Sequence, residues 1–162
     1  MQTTSKVFEK IIDLLNKNHI TYKLYEHAPV FTSKDAAKIR DTKETQGVKA
    51  LLFIADGKPI LLVLPGSLKV DTKTFKNNKN IEDLRFATKD EVFDLAGVEV
   101  GAVPPLGNIM GISTFVDKKL LDEDKIAFNV GSHTKSIKMK TKDYLVVCNP
   151  EVSAFSLVGI QK

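Results

Sequence analysis

The chain has 162 residues, of which 43% are hydrophobic and 27% charged, and its 24 basic and 20 acidic side chains leave a formal net charge of +4. That balance excludes a disordered or collagen-like chain and fits one globular domain over residues 1–162. Such a chain can bury roughly 70% of its unfolded surface, so it needs no staples, and its single cysteine, Cys148, can form no internal disulfide. The longest apolar runs, 50–55 and 60–65, are too short to span a bilayer, and residues 1–30 show no signal-peptide pattern. A cytoplasmic protein with no membrane partner is expected.

In chain order, Ser5 to Asn18 reads as a helix with Phe8, Ile11, Ile12 and Leu15 on one face and Ser5 as its cap. Ile20 to Glu26 alternates as a strand. Pro29 ends it, and the Thr32/Asp35 spacing starts a short helix running to Arg40. His27 sits at the turn and, on residue type alone, reads as a structural histidine. Residues 42–47 form a polar loop. Two apolar strands follow, 49–55 and 59–64, joined at Asp56-Gly57 by a hairpin turn. Continuous apolar character places both centrally, covered on both faces. Lys49 enters the first of them, where a lysine must snorkel, pair or serve a ligand.

Residues 70–80 read as a short exposed helix and a polar loop, and 84–87 as a strand. Thr88 and Glu91 form a capping box for a helix over 89–95, which Gly97 ends. Val98 to Asn108, V-E-V-G-A-V-P-P-L-G-N, has two glycines and two prolines and should be a stiff loop that presents backbone groups. Strands are expected over 111–116, 125–130 and 136–140, with a polar connection at 117–124 and a G-S-H-T turn at 131–134. A helix from Thr141 to Val147 stops at Asn149-Pro150, and the moderately apolar remainder should pack. The order of elements indicates an α+β domain, a mixed curved sheet with helices around it.

Several chemistries lack their residues. His19, His27 and His133 have no zinc spacing, and neither a P-loop nor a dinucleotide fingerprint is present. No G-x-S-x-G elbow occurs, and Cys148 lies in an apolar V-V-C-N-P setting that suits an inert thiol. What remains is Lys49, the Gly101–Pro105 loop and the Gly131–His133 turn, all at ends of predicted strands. Arg40 and Arg85 are the only arginines among the basic residues, which favours diffuse phosphate attraction over base reading. Lys34, Lys38, Arg40, Lys43, Lys135, Lys138 and Lys140 are either an RNA-facing surface or scattered solubilising charge.

Five stretches, H-A-P-V-F-T-S-K-D-A-A, V-K-A-L-L-F, V-L-P-G with Asp71, G-A-V-P-P-L-G and A-F-N-V-G-S-H, occur in order between His27 and His133, within a resemblance that covers about residues 5–147. In that order they resemble the YbaK/prolyl-tRNA-synthetase editing-domain family. The resemblance implies a mixed α/β fold and hydrolysis of the ester joining a wrong amino acid to tRNA, with no cofactor and no metal. It assigns Lys49, Gly101 and His133 to catalysis, with Pro104 an added proline inside the loop. Substrate contacts are expected from Ala102, Val103, Pro104, Pro105, Gly131, Ser132, His27 and Thr32. Lys49 would bind the terminal phosphate or the ester end, Gly101 and Ala102 would offer N–H groups, and His133 would orient the amino acid or the water. The motif combination is similar to members acting on Ser- and Thr-charged tRNA, with Ala and Cys as alternatives. Expected partners are aminoacyl-tRNA and an aminoacyl-tRNA synthetase, not DNA. A non-catalytic tRNA-binding or regulatory module and a small-ester hydrolase are the competing readings.

Overall fold

The computed structural model describes residues 2–29 and 32–158. Helix α1 (Gln2–Lys17) buries Val7, Ile11 and Leu15; it begins at Gln2, so Ser5 lies within the helix rather than at its cap. Strand β1 (Tyr22–Glu26) leads to α2 (Ser33–Arg40), which opens as expected, with Thr32 Oγ1 accepting the Asp35 N–H at 3.1 Å. Strands β2 (Val48–Ala55) and β3 (Lys58–Pro65) form the expected hairpin. Asp56 and Gly57 between them take φ of 48° and 83°, the double positive φ of a two-residue turn.

The chain continues through β4 (Leu68–Val70), α3 (Thr72–Lys79), β5 (Leu84–Phe86) and α4 (Lys89–Ala96). Both bonds of the Thr88/Glu91 capping box are present. After the 98–108 loop come β6 (Ser113–Asp117), β7 (Lys125–Asn129), β8 (Lys135–Lys140) and α5 (Thr141–Cys148). Strands β9 (Glu151–Ser153) and β10 (Ser156–Val158) follow.

The mixed sheet has five strands in the order β5-β2-β3-β6-β9, with β6 parallel to both neighbours and the remaining pairs antiparallel. A separate antiparallel sheet, β1-β8-β7, and a ribbon, β10-β4, complete the fold. The apolar strands are covered on both faces. Val48, Ala50, Leu52, Leu61 and Val63 join the larger core with α1 and the three-stranded sheet. Phe53, Ala55, Ile60, Leu62 and Leu64 join a second core.

That second core corrects the expectation of an exposed helix over 70–80. In α3, Phe75 is buried and meets Phe115 and Phe155 edge-on. Its burial depends on Phe155 arriving from the far end of the chain, which local pattern cannot show. The connection that begins at the end of β6 is also less exposed than it reads, because Asp117 and Leu120 are both buried.

One irregularity prepares the site. β5 pairs only with Phe53–Ala55, leaving the first half of β2 without it as a neighbour. There Gly47 makes a parallel bridge to Ala127 of β7, joining the two larger sheets at a seam. The Ala87 N–H reaches Leu52 O beside β5. Backbone groups two residues apart face the same edge of a strand, so Ala50 turns its N–H and C=O toward the seam.

Candidate active site

A cavity of about 410 Å³ opens at this seam. Its walls include the start of β2 (Val48 to Leu51), Gly47 and Gly66. Thr32, Ala36 and Arg40 come from α2 and its cap, Val100, Gly101 and Val103 from the loop, and Asn129 and His133 from the end of β7 and the turn after it. The size suits a small-molecule moiety.

Lys49 is half-buried and makes no hydrogen bond or ion pair among the described residues. Burial lowers its pKa from 10.5, and the charge of Lys69 lowers it further. Gly101 carries φ of 89°, and a Cβ there would stand 3.0 Å from His133 Cε1. The position therefore needs glycine for conformation and for the close approach of the imidazole. His133 Nε2 in turn lies 3.9 Å from the Glu99 carboxylate.

Below Gly101 the loop dives into the protein. Pro105 O accepts the Tyr144 hydroxyl at 2.6 Å and the Cys148 thiol at 3.5 Å. Gly107 N–H donates to Thr114 Oγ1 at 3.0 Å, and Asn108 Nδ2 to Val147 O at 2.8 Å. Burial pushes the Cys148 thiol up, consistent with an inert role.

Of the residues singled out from sequence, Lys49, Gly101, His133, Val103 and Thr32 line the cavity. Six do not. Ala102 is 2% exposed, and its N–H donates to Glu99 O at 3.0 Å, so it has no N–H to offer a ligand. Pro104 and Pro105 are buried in the anchored part of the loop. Gly131 is buried and spends its N–H on Ala102 O. Ser132 Oγ is turned to Thr134. His27 approaches from beneath, with Nε2 2.9 Å from Ser136 Oγ and Nδ1 2.8 Å from Ala28 O.

The functional wall also contains two residues that sequence reasoning did not select for it. Arg40, read as part of an exposed basic surface, is only 4% exposed because the last turn of α2 faces the three-stranded sheet. It donates from Nε to Ser136 Oγ at 3.0 Å, from Nη2 to Asn129 Oδ1 at 2.9 Å and from Nη1 to Ala127 O at 3.4 Å. Desolvation lowers its pKa to about 10, which leaves it charged at neutral pH. Asn129 donates from Nδ2 to Gly101 O at 2.9 Å. Asn129 lay inside the quoted A-F-N-V-G-S-H stretch. For Arg40 the signal was its scarcity, one of two arginines in a lysine-rich chain. The surrounding lysines are partly occupied as well: Lys135 lies over the Phe8 ring and Lys138 over Tyr25.

The cavity thus gathers cations, a histidine and a glycine turn, with no carboxylate among the described residues of its wall. A family model for the aminoacyl-tRNA editing domain matches residues 27–146, which contain every one of these groups. The chain belongs to the aminoacyl-tRNA editing-domain family.

As an editing domain, its substrate is aminoacyl-tRNA. Among its relatives is the multifunctional Ser/Thr-tRNA deacylase ProXp-y of Escherichia coli (strain K12), 29% identical over 160 residues that cover 96% of each chain. A proline–tRNA ligase of Streptococcus equi subsp. zooepidemicus is 31% identical over 91 residues, 56% of this chain and 15% of the ligase. The fold matches a crystal structure described as a candidate trans-editing enzyme for prolyl tRNA synthetase, with a TM-score of 0.82 at 23% identity over 93% of this chain and 97% of that one. No helix among the described residues of the editing domain is long and apolar enough to cross a membrane. No group of three His, Cys, Asp or Glu side chains among them is arranged to hold a metal ion.

Proposed function

We propose that residues 1–162 act as one cytoplasmic trans-editing deacylase that hydrolyses the ester of tRNA mischarged with a small amino acid, Ser or Thr ahead of Ala or Cys. The observation that carries this reading is the meeting of Lys49, Gly101 and His133 around one small cavity with no carboxylate among its described lining residues. Water attacks the ester carbon, the bond to the terminal ribose oxygen breaks, and that oxygen takes a proton, giving free amino acid and tRNA. The carbonyl oxygen becomes negative on the way. The Lys49 ammonium and the Gly101 N–H, which donates to no protein group among the described residues, would hold that charge. His133 orients the water or the amino acid. An aminoacyl ester is already reactive, so orientation and oriented dipoles suffice without a nucleophile.

The preference for a hydroxylated amino acid is supported by the E. coli relative's activity and by Thr32, a polar group at the cavity wall. Apolar contacts alone separate side chains differing by one methylene by only ~1–3 kcal/mol, whereas a hydrogen bond to a side-chain hydroxyl discriminates far more. A synthetase partner would select the tRNA where this domain does not.

The test is deacylation of tRNAs charged with Ser, Thr, Ala, Cys and Pro. Wild type should cleave the Ser and Thr esters fastest, and Lys49→Ala should lose on the order of 100-fold or more in rate. Full activity in Lys49→Ala would remove the lysine from the mechanism. Binding of tRNA without cleavage of any ester would favour the non-catalytic module.

A further inference from the structure

Beneath the cavity lies a chain of polar contacts that its chemistry does not by itself require. Arg40 has no carboxylate partner among the described residues, and burying such a charge is costly. Its guanidinium is held from three sides by Ser136, Ala127 and Asn129. That fixes the Asn129 amide. Oδ1 must face the guanidinium, since the flipped amide would set two donors against each other. Nδ2 must therefore face Gly101 O, which it reaches at 2.9 Å. One residue further along, Ala102 O accepts the Gly131 N–H at 3.1 Å. Two successive loop carbonyls are thus tied to the segment that carries His133.

We propose that Arg40 and Asn129 are positioning residues: Arg40 sets the Asn129 amide, and Asn129 latches the Gly101 carbonyl so that the Gly101 N–H points into the cavity beside His133. This rests on the deacylase reading for its effect on rate, but the latch is a property of the loop alone. His27 and Ser136 form the back of the network. His27 Nδ1–H donates to Ala28 O and its Nε2 lies 2.9 Å from Ser136 Oγ, while Ser136 Oγ accepts from Arg40 Nε and donates to Asn129 Oδ1 at 3.3 Å. No member of the network needs to touch substrate.

The decisive variant is Asn129→Asp. It keeps an acceptor for Arg40, and pairs with it, but sets a carboxylate oxygen against the Gly101 carbonyl. Two quantities are read. Hydrogen–deuterium exchange over residues 98–106 should rise at least tenfold while exchange over β2 and β3 is unchanged. In deacylation of Ser-tRNA, kcat should fall on the order of 100-fold, the scale of losing one aligned donor, with KM moved less than about threefold. Arg40→Lys retains the charge without the planar fork and should show the same pattern more weakly, with exchange over residues 98–106 up about threefold and kcat down about tenfold. Wild-type exchange and kcat in Asn129→Asp would overturn the proposal, and so would a change confined to KM. If Asn129→Asp does not fold, Arg40→Lys decides in the same way, and wild-type exchange and kcat in that variant would overturn the latch. A wild type that cleaves no ester would end the deacylase reading, while the exchange measurement would still accept or reject the latch.

Discussion

Arg40 and Asp117 are both buried charges, 4% and 1% exposed, and neither has a counter-ion among the described residues. Asp117 is saturated by donors. Oδ1 accepts the Phe155 and Ser156 N–H groups at 2.8 and 2.9 Å, and Oδ2 accepts the Lys119 N–H at 3.1 Å and the Ser156 hydroxyl at 2.7 Å. Those donors belong to the segments the carboxylate fastens, the turn after β6 and the entry into β10. Arg40 instead reaches neutral acceptors in β7 and β8, borders the cavity, and has its pKa lowered to about 10 by desolvation. Burial alone does not separate a structural charge from a functional one. What separates them is whether the partners complete a fold contact or orient something at a site.

The contrast can be broken from either side. Asp117→Ala leaves three backbone N–H groups without an acceptor and should cost about 3–5 kcal/mol of unfolding free energy by urea titration. The deacylation rate per folded molecule should stay at the wild-type level; a loss of rate without loss of stability would erase the distinction. Arg40→Met should do the opposite. Stability should change by no more than about 1–2 kcal/mol, because an apolar chain replaces a costly buried charge, while kcat falls roughly 10–100-fold.

The smallest effect concerns pH and sharpens the electrostatic side of the comparison. Lys49 has a folded pKa below its unfolded 10.5, first through burial and then through Lys69. Between the two values the unfolded chain binds more protons, so this group makes stability rise with pH in that interval. The catalytic contribution proposed for it would run the other way, since the ammonium is lost as pH climbs through the lowered value. The enzyme-dependent rate, corrected for spontaneous ester hydrolysis, should therefore turn down below pH 10.5. Lys69→Gln removes the second cause and should move that downturn to higher pH; an unmoved limb would show that Lys49 does not govern it.

Much of this was legible in the sequence because the signals were local. The hairpin turn, the Thr32 and Thr88 caps and the two-sided apolar strands depend on neighbours a few residues away, and all were found where expected. Lys49, Gly101 and His133 stood out as unusual residues at strand ends, and the structure brings them around one cavity. The misses depended on distant partners. Ala102 was expected to offer an N–H, but the turn at Glu99 consumes it. Arg40 became buried only because β7 and β8, much later in the chain, close over α2. Asn129 lay in a quoted motif, yet the direction of its amide is decided by Arg40.

The bridge from Gly47 to Ala127 has a temporal meaning as well as a spatial one. A chain made from its N-terminus can form the β2–β3 hairpin early, with Lys49 already on it, because the contacts are local. The opposite wall, from Asn129 to His133, has yet to be synthesised at that point and must then return across a long loop. The lysine therefore waits as an ordinary surface cation until the seam shuts. On the proposed roles of Lys49 and His133, hydrolytic competence would come only with the completion of the fold, when the two walls meet across the seam.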